Sequence, residues 1–119
     1  MSEDVNDPVQ TLEGPEALER LLALPLALIY KHSPACWQSY RAMGHVRRFS
    51  AETGAPPAWI IDVIRQRPLA RLVADRLGIR HESPQVIVVR HGIVAWHGSH
   101  GTVKYRAIRD AITDLRQSA

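Results

Sequence analysis

Cysteine is nearly absent: Cys36 is the one thiol in 119 residues. A single cysteine excludes an intramolecular disulfide framework and any zinc site built on several thiolates of one chain. Redox chemistry, if present, then needs a second molecule. Lysine is scarce as well, since thirteen of the fifteen basic residues are Arg and only Lys31 and Lys104 are Lys. The net charge of +3 is a mild excess scattered along the helical segments, which argues against nucleic acid as a partner. No apolar run reaches the roughly eighteen residues of a membrane span, so no membrane association and a soluble protein are expected. Residues 1–10 carry Glu3, Asp4 and Asp7 and have neither a basic start nor an apolar stretch, so no secretory signal is expected there. Together with the lone thiol, this points to the reducing cytoplasm.

What remains is a chain of a size to form one domain with a hydrophobic core. Residues 1–12 read as a polar leader and residues 13–119 as the domain. Gly14-Pro15 opens a short helix carrying Leu18, Leu21 and Leu22 at helical spacing. Leu26 to Tyr30 is an apolar strand that gives way to a surface loop at Lys31-His32-Ser33-Pro34. A helix from Cys36 to about Ser50 follows, with Tyr40, Met43 and Val46 on one face. Trp59 to Ile64 suits a second strand, and Pro68 to Leu77, stopped by Gly78, suits a third helix. Gln85 to Val89 and Ile93 to Trp96 flank His91-Gly92 as a β-hairpin. Tyr105, Ile108, Ile112 and Leu115 line a terminal helix. The order αβαβαββα predicts an α/β fold, a four-stranded mixed sheet flanked by helices, in the arrangement of a thioredoxin-like core.

In that arrangement three distant segments meet at one sheet end: Lys31 to Ser39, His81 to Gln85, and His97 to Gly101. A lone cysteine is by default a small buried apolar residue, but Cys36 falls at a helix start, where unpaired backbone N–H groups and the helix dipole favour a thiolate. Ser39 lies one helical turn on; it can donate a hydrogen bond to the thiolate but cannot resolve a mixed disulfide. Pro84 after Ser83 is a candidate cis proline whose neighbouring backbone could pair with an extended thiol peptide. Trp37 and Trp96 could wall a pocket for a small thiol. His32, His81, His97 and His100 cap the sheet end. A zinc set of Cys36 with His97 and His100, or with His32, has no standard ligand spacing, so no metal is expected.

The segments Lys31-His32-Ser33-Pro34-Ala35-Cys36-Trp37-Gln38-Ser39, His81-Glu82-Ser83-Pro84-Gln85 and Trp96-His97-Gly98-Ser99-His100 resemble those of the bacillithiol-system redox-active proteins, the monothiol bacilliredoxins. Trp37 stands where that family commonly has Pro, and Gly101 where it usually has Trp. The resemblance implies a Cys-x-x-Ser site at Cys36 and Ser39, a cis proline at Pro84, and removal of a bacillithiol cap from oxidised protein cysteines. No cofactor is implied beyond a low-molecular-weight thiol, bacillithiol or glutathione, as co-substrate; the partners are thiol-capped client proteins. Lys31, His32, Trp37, Ser83, Pro84, His97, Gly98, Ser99 and His100 are the expected substrate-binding residues. The alternative is a non-enzymatic module that binds a partner or carries a metal or iron-sulfur cluster.

Overall fold

The computed structural model describes residues 7–118. The described residues form five strands and four helices. They are β1 (Val9–Thr11), α1 (Pro15–Leu22), β2 (Leu26–His32), α2 (Trp37–Ser50), β3 (Ala58–Asp62), α3 (Arg67–Leu77), β4 (Gln85–Arg90), β5 (Ile93–Ser99) and α4 (Tyr105–Gln117), with a 3-10 turn over His100–Thr102 before α4. The strands form one sheet in the order β1-β3-β2-β4-β5. β1 and β2 both run parallel to β3, while β4 is antiparallel to β2 and β5 antiparallel to β4.

Two expectations are corrected here. The sheet has a fifth strand, because Val9–Thr11 pairs with Ala58–Ile60 along the free edge of β3. Val9 and the following Leu12 are buried, so the expected leader over 1–12 loses its last residues to the domain; residues 1–6 of that leader lie outside the described residues. The second correction concerns Lys31 and His32, expected in a surface loop. β2 continues through both, since Lys31 pairs with Ile61 and Gln85, and His32 with Asp62.

Side chains alternate across β2 and divide the core in two. Leu28 and Tyr30 pack with Val46 and Phe49 of α2 and Ile108 and Ile112 of α4. Ala27 and Ile29 pack on the other face with Leu18 and Leu21 of α1 and Leu69 and Val73 of α3. β4 is buried from Gln85 to Val89, as expected of a central strand covered on both faces. Each fully buried Leu or Ile contributes roughly 1.5–3 kcal/mol, so the two helical layers hold the sheet from both sides. The β4–β5 turn places His91 and Gly92 at positive φ, 50° and 80°, the combination a tight two-residue hairpin requires. Among the described residues no helix is long and apolar enough to cross a membrane.

Candidate active site

The end of β2 carries the chain into Ser33 to Cys36, and Cys36 is the N-cap residue of α2, half-buried and with a free thiol. Three bonds tie this loop down. The Cys36 N–H donates to the Ser33 carbonyl at 3.1 Å, the Ser33 N–H donates to Ser39 Oγ at 3.1 Å, and the Tyr40 hydroxyl donates to the Pro34 carbonyl at 3.3 Å. Ser39 is fully buried. Its hydroxyl oxygen therefore secures the loop backbone that presents Cys36. The Ser39 N–H closes the first turn on the Cys36 carbonyl at 3.0 Å, and the N–H groups of Trp37 and Gln38, at the first two positions of α2, have no carbonyl one turn back within the helix.

Beneath the loop lies a buried polar chain that sequence reasoning missed. The Tyr30 hydroxyl donates to the Ser39 carbonyl at 2.6 Å and lies 3.1 Å from His32 Nδ1. Tyr30 has one proton and it is committed to Ser39, so His32 Nδ1–H is the donor in the second bond. Burial raises the Tyr30 pKa and keeps the hydroxyl protonated. Burial lowers the His32 pKa, keeping the ring neutral, with the Asp62 charge opposing. The His32 ring meets Tyr40 edge-on, with centroids 4.8 Å apart. In the sequence Tyr30 reads as one more apolar position of a core strand; only its place opposite Ser39 gives the hydroxyl a role.

The remaining expected residues fall on two sides of the sheet. Lys31 alternates with Tyr30 and His32 and so points to the α3 side. It is fully buried, and its Nζ donates to His81 Nδ1 at 3.0 Å. Burial lowers its pKa to about 8, with Glu82 opposing. Lys31 thus does not offer an ammonium to a substrate at the surface, contrary to expectation. His97 and Ser99 share that side, because they pair with Ile87 and Gln85. Ser99 donates to the Glu82 carboxylate, and this bond, more than the positive groups nearby, holds the Glu82 pKa below its usual range. Gly98 lies on the opposite face and is buried; a side chain there would meet the Trp96 ring at 2.9 Å and the Thr102 methyl at 3.1 Å. Its absent side chain makes room for Trp96, so Gly98 is a packing position.

The Ser83–Pro84 peptide bond is cis, and Pro84 is buried. The Pro84 carbonyl accepts the His100 N–H at 2.9 Å, which joins the loop before β4 to the turn after β5. That turn and the first turns of α2 enclose a groove lined by Trp37, Arg41, His45, His100 and Lys104, among others. Trp37 is 67% exposed, so its ring walls this groove instead of filling the core. Among the described residues no group of three or more His, Cys, Asp or Glu side chains is placed to hold a metal ion. Cys36, His32, His97 and His100 do not converge as a ligand set because the sheet stands between His97 and His32.

Known proteins share this architecture. A structure described as having a thioredoxin fold, and provisionally assigned as an oxidoreductase, superposes with a TM-score of 0.82 at 23% identity, covering 87% of this chain and 93% of its own. Thioredoxin from Malassezia sympodialis gives 0.73 at 16% identity, covering 89% of each chain. A mutant thioredoxin from Halobacterium salinarum gives 0.71 at 20% identity, covering 92% of this chain and 90% of its own. These likenesses show the thioredoxin fold. The sequence pattern of the monothiol bacilliredoxin BrxC family matches residues 10–108, a span that takes in the Cys36 loop, the Ser83–Pro84 loop and the His100 turn. The chain therefore belongs to the monothiol bacilliredoxin BrxC family.

Proposed function

We propose that this protein is a monothiol thiol–disulfide oxidoreductase that lifts a low-molecular-weight thiol from capped protein cysteines, with Cys36 as nucleophile. The Cys36 thiolate attacks the small-thiol sulfur of a mixed disulfide. The client S–S bond breaks, a new S–S bond joins Cys36 to the small thiol, and the client leaves as a thiolate that takes a proton from water. A second small thiol, as thiolate, then attacks the adduct. It leaves as the symmetrical small-molecule disulfide, and the Cys36 thiolate is restored. No oxidant or reductant beyond the two thiols is required.

The observation that carries this reading is the position of the single thiol: N-cap of α2, half-exposed, with buried Ser39 in the place where a resolving cysteine would stand. Ser39, Tyr40 and the Tyr30–His32 pair hold the loop and leave the sulfur as its reactive group. The backbone at Ser83–Pro84 aligns the client at the same sheet end, and His100 stands across from Trp37. Membership of the bacilliredoxin family favours bacillithiol as the thiol, and thiol exchange of this kind suits a reducing cytoplasm. Turnover tests the reading. Purified protein with a bacillithiol- or glutathione-capped client and excess free thiol is expected to release the client thiol catalytically, with Cys36→Ser inactive and Ser39→Ala, which loses the bond to the Ser33 N–H, slower but active. Equal release by Cys36→Ser would overturn it; visible absorbance with stoichiometric iron on a dimer would mean a cluster carrier instead.

A further inference from the structure

The loop between α3 and β4 is fixed residue by residue, each tie coming from a different strand or turn. The Arg80 carbonyl accepts Gln85 Nε2–H at 3.0 Å, and His81 Nδ1 accepts from the Lys31 ammonium at 3.0 Å. Ser99 of β5 donates to the Glu82 carboxylate, and the Pro84 carbonyl accepts the His100 N–H at 2.9 Å. Among the described residues Ser83 is the one member of this run with no hydrogen bond, so its N–H and C=O are left to pair with an extended chain. Lys31 is the unusual tie. It is fully buried on the α3 side of β2, where burial lowers its pKa to about 8, and the one hydrogen bond of its ammonium among the described residues goes to His81. An apolar side chain would fill that space without taking an ammonium out of water. His81 is in the form that receives the bond. Burial first, then the charges of Lys31, Arg71 and Arg67, lower its pKa, so the ring is neutral, with the lone pair on Nδ1 and the proton on Nε2.

We propose that Lys31 is a positioning residue for polypeptide substrates: acting through His81, it sets the alignment of the Ser83 backbone against which a client chain joined to Cys36 is laid. The proposal rests on the exchange reading, in which the Ser83–Pro84 backbone aligns the client, and adds what holds that backbone in place. One strand, β2, then sets both sides of the reaction geometry. Its end carries the chain into the Cys36 loop, and Lys31, beside that end, fixes the loop across from it. The effect falls on substrates that have a backbone to align, and not on small disulfides.

Relative labelling rates decide. Cys36 is reacted with a short uncharged peptide whose cysteine carries a thiopyridyl group and, separately, with dithiodipyridine, which has no backbone. In each case the Cys36 thiolate forms a new S–S bond, the bond to the thiopyridyl sulfur breaks and thiopyridone leaves, so one absorbance reads both rates. Lys31→Met and His81→Ala are each expected to lower the ratio of peptide rate to dithiodipyridine rate about tenfold, the loss of roughly two backbone hydrogen bonds. The double variant should show no further fall. His81→Asn, whose carboxamide oxygen can take the place of Nδ1, should bring the ratio back to near the wild-type value. An unchanged ratio in Lys31→Met, losses that multiply in the double variant, or a loss in His81→Asn equal to that in His81→Ala would overturn the proposal. His81 is exposed, so its variants keep the test open if Lys31→Met does not fold. Both reagents label a free thiol whether or not capped clients are turned over. A wild-type protein without turnover, whose labelling ratio still falls on mutation as described, would defeat the exchange reading and leave Lys31 in its role.

Discussion

At the scale of single residues, the site turns on what Ser39 does. Its side chain is buried and its oxygen holds the Ser33 N–H, so Ser39→Cys, close in volume, is expected to fold and to supply the missing resolving thiol. The variant should discharge a Cys36 adduct without added thiol, releasing the small thiol and forming a disulfide between Cys36 and the thiol introduced one helical turn on, visible as a mass two hydrogen atoms below that of the reduced variant. Persistence of the adduct would mean that the loop holds the two side chains apart. Lys31 gives a pH signature. Its folded pKa of about 8 lies below the ordinary Lys value of 10.5, so the unfolded chain binds more protons between those limits and stability from this group rises with pH there. Below pH 8 the buried ammonium is a cost. Lys31→Met should therefore be more stable than wild type at pH 7, by on the order of 2 kcal/mol more than at pH 10, in paired urea titrations. A difference independent of pH would place the ammonium in water. Cys36 and Ser39 were legible from spacing; Lys31 was misplaced because a charged residue after an apolar run reads as the strand's exit. The strand in fact runs to His32, and the ammonium is kept by His81 and Glu82, contacts no local pattern reveals.

At the scale of elements, α2, α3, the hairpin and α4 were readable because their apolar spacing or turn residues are local signals. β1 was not. It is three residues long, buries only Val9, and exists because the β3 edge offers it a parallel partner; alternation cannot be recognised over so short a run. Two glycines distinguish backbone need from tolerance. Gly92 is at φ 80° and a Cβ there would lie 3.2 Å from the Leu22 carbonyl oxygen, while Gly44, inside α2, has open space around it. Gly92→Ala is expected to destabilise by about 1–2 kcal/mol, and Gly44→Ala to stabilise by roughly 0.5–1 kcal/mol. Opposite shifts of the urea midpoint check both at once. Movement in the same direction would mean that the hairpin turn is not held as described.

At the scale of the whole molecule, the element order was enough to bring three distant segments to one sheet end, and the structure adds which face each side chain takes. That division could not be read beforehand, since it depends on register: pairing of Gln85 with Lys31 and Ser99 gathers one polar set on the α3 side, while His32 and Trp37 stay on the α2 side. The groove depends in addition on how the turn after β5 packs against α2, which has no sequence signature. On the proposed exchange, a molecule with one thiol and no resolving partner begins the reaction at Cys36 and needs a second molecule to finish it. The most direct measurement is the intact mass of the protein after mixing, one to one and without free thiol, with a client capped by bacillithiol. A single adduct of the thiol's mass, located at Cys36 and matched by freed client thiol, is the expected result; an unmodified protein beside a fully capped client would contradict it.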